Sequence, residues 1–513
     1  MKRFLLLITL LGAGCAKKKS DDGPLPDTWV YYLRQGYLAQ AFMAAGNWAG
    51  GEFLADTTTY ATWTPSKAIV GTTVTHAYGV RFITYIRNGR LYAHDVSTNG
   101  LQQICNETFA NAIVALIDTG TTSTTDTSTY VIYTTTPALG LFDLKAARVA
   151  GPGGATPATI EAAIPSTNVF TFRAPRNAAD TVFYKAQDVT GVLKHCVFSA
   201  FPAVTLTTVS GGDDVQEFLV RDSTRVVYRT ATNSLMKADV ASLPAAVLYT
   251  PVGGETVQLR AKIELGADSE VFFTSHLTGP DSVSLVRVLY STGVPTTFEG
   301  PLTYTTITLN RVFFTGTRVV WQLIRDSTSL MKSYDRVTPA GGTVMLTGGR
   351  TLDPVANAHV IYDVSGWRVL YAEVNGPTIY RVTKTDAGVL VNEFAFVGTP
   401  GPSDAINHLG TSYYDAALDL AGIVSTARFC YVDGVSLLTR TVDLDPLTQM
   451  TIGPLPADIT SFSLTTAFRA PTCIAGVSTA PVQNEIFFFR PDVAGTLLRQ
   501  TSSPENETPL AAQ

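Results

Sequence analysis

The chain is 513 residues long, 45% hydrophobic and 15% charged, with a formal net charge of −5. That length and apolar content exclude intrinsic disorder and allow a large buried core. A mildly acidic balance, net −5, argues against a nucleic-acid footprint, and beyond the first residues no apolar run reaches the ~18 residues that mark a membrane span.

The start of the chain reads as an export signal. Lys2 and Arg3 precede an apolar run, residues 4–11, and Gly12-Ala13-Gly14 then leads into Cys15. A basic start, a short apolar stretch and small residues before a cysteine are the parts of a secretory leader. The stretch is about 12 Å long as a helix, far short of the ~20 residues that cross a bilayer. Residues 1–14 are therefore expected to be a removable signal peptide.

The ending Gly12-Ala13-Gly14-Cys15 resembles the lipobox of bacterial lipoprotein signal peptides, with Gly12 where that family usually carries Leu. The resemblance implies cleavage before Cys15, lipidation of that cysteine and a lipid anchor in the cell envelope. Ala16 after the cysteine implies the outer membrane rather than the inner, on its periplasmic or surface side. Ordinary secretion with cleavage near Gly14 and Ala16 is the alternative.

Residues 16–26 carry Lys17-Lys18-Lys19, Asp21-Asp22 and two prolines without apolar periodicity, the composition of a disordered tether. Val30, Leu33, Tyr37, Ala41 and Ala44 fall at helical spacing, so a short helix is expected from Asp27 as cap to Gly46-Asn47. Residues 15–48 are thus assigned to a lipidated tether with that segment, and residues 49–513 to one repeated domain.

The repeat is clearest in two copies. One reads Arg225-Val226-Val227-Tyr228, then Ser234-Leu235-Met236-Lys237, then Gly253-Gly254; the other reads Arg318-Val319-Val320-Trp321, then Ser329-Leu330-Met331-Lys332, then Gly348-Gly349. Weaker copies place strand centres at Ile83, Val131, Phe183, Phe272, Leu370, Phe429 and Phe487. The step between centres, 44 to 59 residues, matches a unit of four short strands. Segments rich in Val, Ile, Tyr, Phe and Thr, separated by Asn88-Gly89, Asn375-Gly376 and Gly-Gly turns, support strands throughout. A single such sheet cannot bury both faces, so the units must stack. The expected fold is all-β: one β-propeller of about eight four-stranded blades, with seven or nine open, its last hairpin closing against residues 52–64. The longest step, between Leu370 and Phe429, holds an insertion at residues 398–419.

Arg90-Leu91-Tyr92-Ala93-His94-Asp95 and Leu346-Thr347-Gly348-Gly349 resemble pieces of the TolB-like propeller repeat, a WD40-like architecture, although the Ser-Pro-Asp-Gly turn of that family is missing. The resemblance implies a propeller and no particular activity.

Motifs for chemistry are sparse. Ser-x-x-Lys occurs at Ser234/Lys237 and Ser329/Lys332, but on a strand residues three apart point to opposite faces, so both copies read as architecture. Gly476-Val477-Ser478-Thr479-Ala480 lacks the last glycine of a nucleophile elbow, and Asp443-Leu444-Asp445 begins a calcium loop that continues wrongly. His76, His94, His195, His276, His359 and His408 are scattered. Asp95, Asp239 and Asp335 recur at one place in their units, where an Asp commonly bonds its own turn. Trp321 and Trp367 fall in repeat strands and read as packing, while Trp63 stands apart. Besides Cys15 the chain has Cys105, Cys196, Cys430 and Cys473; an oxidising compartment permits disulfides, with Cys430–Cys473 preferred, and four buried free thiols are the alternative.

No residue is therefore assigned to catalysis, a cofactor or a metal. The sequence favours an envelope lipoprotein whose propeller is a binding scaffold for a protein or an envelope glycan, held to the membrane by its lipid and not a nucleic-acid binder. A propeller enzyme of the hydrolase, lactonase or lyase type, with its site at the channel mouth, stays open, as does a structural or adhesive role.

Overall fold

A computed structural model turns the repeat into a series of antiparallel sheets. It describes strand backbone between Thr28 and Ala512, and side chains chiefly of residues 130–149, 157–173, 191–260, 269–279, 282–302 and 444–459. The leader, the tether and Cys15 lie outside the described residues. No α-helix occurs among the described residues, and ten sheets do, nine of four strands and one of six. We number them as blades. Blade 1 comprises residues 28–53 with 507–512, blade 2 residues 60–103, blade 3 110–165, blade 4 169–208 and blade 5 215–249. Blade 6 is 255–303, blade 7 307–345, blade 8 359–397, blade 9 407–454 and blade 10 459–499.

Apart from blades 1 and 9, each blade is a meander of consecutive strands, and where the interblade cores are described the blades meet face to face. The second strand of blade 3, Thr129–Ala138, shows why its sequence is continuously apolar. Val131 and Tyr133 pack with Ile86 and Leu91 of blade 2, whereas Tyr130 and Ile132 pack with Val182 and Tyr184 of blade 4. Alternate side chains leave a strand on opposite sides, so a strand buried on both sides has no polar face to spare. The same interleaving joins blades 4 and 5, 5 and 6, and 9 and 10. Each fully buried Val, Leu, Ile or Phe in these layers contributes about 1.5–3 kcal/mol, which one blade alone could not obtain.

Contacts between blades centre on the first strand of each unit, as between Ala110–Asp118 and Phe82–Arg87, or Ile307–Thr315 and Glu255–Leu265. The first strands are therefore the inner ones. Blade 1 closes the series. Its inner strand is the C-terminal segment Glu507–Ala512, hydrogen-bonded to Thr28–Arg34 and touching Thr472–Thr479 and Val482–Phe489 of blade 10. The architecture is an all-β propeller, as the repeat implied.

Three expectations need correction. The helix expected over residues 27–47 is absent: Thr28–Arg34, Tyr37–Ala44 and Asn47–Phe53 are antiparallel strands, with Arg34 opposite Tyr37 and Ala44 opposite Asn47. Blade formation thus starts at Thr28, inside the stretch assigned to the tether. Among the described residues the sheets number ten, not about eight, because this N-terminal blade was read as helical and each of the nine sequence centres marks its own blade. Closure uses residues 507–512 against 28–34, not a hairpin against 52–64.

The insertion at 398–419 has a definite place. It leads into a hairpin, Tyr413–Asp415 with Leu420–Gly422, lying between the first and second strands of blade 9. Leu420 pairs in parallel with Phe314 on the inner strand of blade 7, making that sheet six-stranded. The hairpin also touches His359–Asp363, the inner strand of blade 8.

Candidate functional site

The two Ser-x-x-Lys copies do not form one kind of site. In blade 5, Lys237 stands opposite Val227, on the face toward blade 6; its Nζ donates to the carbonyls of Tyr290 (2.7 Å) and Ser291 (3.2 Å). In blade 7, Lys332 stands opposite Trp321, on the face looking back at blade 6, and its Nζ lies 2.8 Å from Glu299 Oε2. The hairpin between motif strands is two residues longer in blade 7, and the pairing shifts by one. A one-residue shift moves a strand's side chains to the other face. Both lysines are clamps between blades.

The Lys332 clamp has a counterpart. Glu299, on the fourth strand of blade 6, also accepts from Trp321 Nε1 at 3.2 Å. Glu161, on the fourth strand of blade 3, accepts from Tyr184 Oη at 2.9 Å and pairs with Lys194. Tyr184 stands opposite Lys194 just as Trp321 stands opposite Lys332. An acid on one blade thus receives an aromatic donor and a lysine from the next. Trp321, fully buried, belongs to this packing.

The remaining candidates divide the same way. His195 is buried against the Phe183 ring, its Nε2 is 2.8 Å from the Ser223 carbonyl, and burial lowers its pKa. It is a core residue of the blade 4–5 interface. His94, His276, His359 and His408 lie on strands of different blades, and His76 lies outside the described residues. Asp239 caps the short turn Val240–Ser242 by accepting from Ala241 N at 3.0 Å, and Asp445 caps Pro446–Thr448 by accepting from Leu447 N at 2.9 Å. Asp95 and Asp335 end third strands as Asp239 does, and Ser478 lies within Thr472–Thr479. Among the described residues no group of three His, Cys, Asp or Glu is placed to hold a metal ion. Cys196 is a buried free thiol whose pKa burial pushes up to about 12. Cys430 and Cys473 sit on the second strands of blades 9 and 10; their side chains, like Cys105, Trp63 and the Trp367 ring, lie outside the described set.

What the sequence did not flag is a cleft of about 220 Å³ between blades 5 and 6. Its floor is the blade 6 face, with Ser275, Ser284, Val286 and Thr297 from three strands; Tyr249 and Val252 close it from blade 5 and the connecting loop, and Glu255 stands at one end. Local chain geometry sets that end. Glu255 N donates to the Val252 carbonyl at 3.1 Å, so residues 252–255 form a turn, and Gly254 takes φ +79° within it. A positive φ at this position suits glycine. The turn folds the Glu255 side chain back onto its own start, where Oε2 accepts from Val252 N at 2.8 Å. Tyr249 Oη lies 2.9 and 3.0 Å from the two carboxylate oxygens. Burial, with the Glu255 charge beside it, raises the Tyr249 phenol above its ordinary pKa. The Tyr249 ring packs on Phe273 at 4.8 Å, which fixes its position over the cleft.

Gly253-Gly254 was visible in the sequence as part of the repeat, but the glutamate after it was not distinctive, and the parallel Gly348-Gly349 is followed by Arg350.

No family model and no curated protein matches the sequence. Solved structures do resemble the fold. A puromycin-hydrolyzing peptidase of Mycobacterium tuberculosis aligns at 11% identity and TM-score 0.36 over 70% of this chain, which spans 57% of that protein's length. A eukaryotic initiation factor aligns at 10% identity and TM-score 0.45, over 94% of this chain and 98% of that one. The Swd1 β-propeller domain of Myceliophteria thermophila aligns at 10% identity and TM-score 0.32, over 60% of this chain and 94% of that one. Similarity at this level says nothing of activity; the propeller architecture stands on the sheets and interblade cores described above.

Proposed function

We propose that this chain is a cell-envelope lipoprotein whose β-propeller is a binding scaffold for a protein or an envelope glycan. The anchor reading is carried by one observation, the run Lys2-Arg3, residues 4–11 and Gly12-Ala13-Gly14 ending on Cys15. The scaffold reading is supported by the blades: apolar layers and acid–lysine clamps hold successive sheets together, a rigid frame on which connecting loops can carry contacts. Lipid on Cys15, followed by a charged and proline-bearing tether, holds such a body close to a membrane while letting its faces meet partners.

Two experiments test this. Fractionation of cells carrying the Cys15→Ala protein should move it from the membrane to the soluble fraction, and unchanged membrane retention refutes the anchor. Affinity capture of the intact protein from its own envelope should recover the same protein or glycan repeatedly. Failure to recover any reproducible partner refutes the scaffold.

A further inference from the structure

Only two acidic side chains are buried among the described residues, Glu255 (6% exposed) and Glu270 (1%). Glu270 is matched by Arg287, whose Nη1 lies 2.9 Å away. The partly buried Glu161, Glu217 and Glu299 are likewise each matched by a lysine or arginine. Glu255 alone among these five has no cation, although its carboxylate serves only as acceptor: Tyr249 Oη donates toward both oxygens and Val252 N toward one. A buried carboxylate at the wall of a cleft, with no cation of its own, is an acceptor open to a donor that enters the cleft.

The cleft beside it supplies the rest of a site. Val252, Leu277, Val286 and Pro295 give apolar walls, and the hydroxyls of Ser275, Ser284 and Thr297 have no hydrogen-bond partner among the described residues. The volume, about 220 Å³, is some seven times a water's ~30 Å³ share, room for a ligand of about five to seven heavy atoms.

We propose that this cleft binds a primary ammonium group carried on a short aliphatic stem, with Glu255 as its counter-ion, the hydroxyls as acceptors for its remaining N–H groups and the apolar walls around the stem. A primary ammonium has three donors and no acceptor, which suits a lining of one carboxylate and three hydroxyls. A free small amine and the lysine side chain of a partner protein share this chemistry. The inference does not depend on lipidation or on the scaffold reading, so the failure of one leaves the other standing.

The test is calorimetric titration of the full-length protein in detergent with n-butylammonium, n-butanol and butyrate, three probes of one size and different charge. n-Butylammonium should bind at least ~10-fold more tightly than either, a difference of about 1.4 kcal/mol. Glu255→Gln should remove that preference. Because Glu255 also holds its turn, a second variant, Thr297→Trp at an exposed position, narrows the cleft with the carboxylate intact and should also weaken butylammonium at least ~10-fold. Equal binding of butanol, or butylammonium binding unchanged in the Thr297→Trp protein, overturns the proposal. Titration with Nα-acetyl-lysine N-methylamide separates the sources: binding as tight as butylammonium assigns the cleft to a protein lysine, and weaker binding assigns it to a free amine.

Discussion

Gly253 and Gly254 are adjacent, both part of the repeated Gly-Gly element, and the structure gives them different work. At Gly254, φ is +79° and an added Cβ would lie 3.1 Å from Thr278 Oγ1. Alanine there costs about 1–2 kcal/mol for the left-handed backbone. Thr278 Oγ1 donates to the Gly254 carbonyl at 3.1 Å, and turning it away from the new methyl forfeits about another 0.5–1 kcal/mol. Gly254→Ala should therefore destabilise by roughly 1.5–3 kcal/mol. At Gly253 nothing lies within 4 Å of an added Cβ and φ is ordinary. Alanine there restricts the unfolded chain and should leave stability unchanged or raise it by about 0.4–1 kcal/mol. The two substitutions, chemically identical and one residue apart, should differ by about 1.5–4 kcal/mol in urea-induced unfolding followed by far-UV circular dichroism. A multi-blade protein need not unfold in one step, so the midpoints of the two variants are compared transition by transition. Equal midpoints for the two variants would show that the turn is not held by Gly254, and the account of how Glu255 is placed would fall with it.

Other consequences follow from the blade interfaces. Glu299→Ala leaves Lys332 and Trp321 Nε1 facing a nearly dry gap, and should cost about 2–3 kcal/mol; adding Lys332→Met should recover part of that, and strict additivity of the two changes in a double-mutant cycle would refute the clamp. Burial is the largest cause of the raised pKa of Tyr130, to about 12, and of the raised pKa of Tyr184 and Tyr228. Their phenols stay neutral in the fold while the unfolded chain ionises near pH 10. Stability is thus complete below about pH 10 and should fall above it, by about 1.4 kcal/mol per pH unit for each such tyrosine. Urea midpoints that are flat between pH 9.5 and 11 contradict this. The Cys196 thiol, buried and with its pKa at about 12, should resist iodoacetamide in the native protein and react on denaturation, read by mass spectrometry of its peptide.

Much of the fold was legible because strands buried on both faces have a plain signature. Val226-Val227-Tyr228 is apolar at every position, since Val226 and Tyr228 pack toward blade 4 and Val227 toward blade 6, and Val319-Val320-Trp321 repeats that run in sequence. Eight of the nine centres read from such runs fall in the second strand of a blade; the ninth, Phe487, is in the third strand of blade 10. Blade 1 was misread for a physical reason. Val30, Leu33, Tyr37, Ala41 and Ala44 keep helical spacing by accident, because one strand ends at Arg34 and the next begins at Tyr37, which resets the alternation between Leu33 and Tyr37. Gly36 and Gly46 in the sequence were the better guide, because a tight hairpin needs such residues and a helix interior does not. Its inner strand, 507–512, comes from the far end of the chain, and no local pattern announces such a pairing.

The site was less legible, and the two Ser-Leu-Met-Lys copies show why. Their residues agree at every position, yet Lys237 reaches forward into blade 6 and Lys332 reaches back into it from the other side, because the hairpins before them differ by two residues. A repeat fixes which residues are strands. It does not fix which face a polar residue will meet, since a pairing shift of one residue exchanges the faces. Glu255 makes the same point from the other direction. In sequence it is one of 42 acidic residues following a common Gly-Gly turn, and only the meeting of two blades makes it a buried carboxylate without a cation. In a propeller the packed faces belong to pairs of units, so chemistry that depends on burial arises between repeats whose sequences, read singly, hold no motif for it.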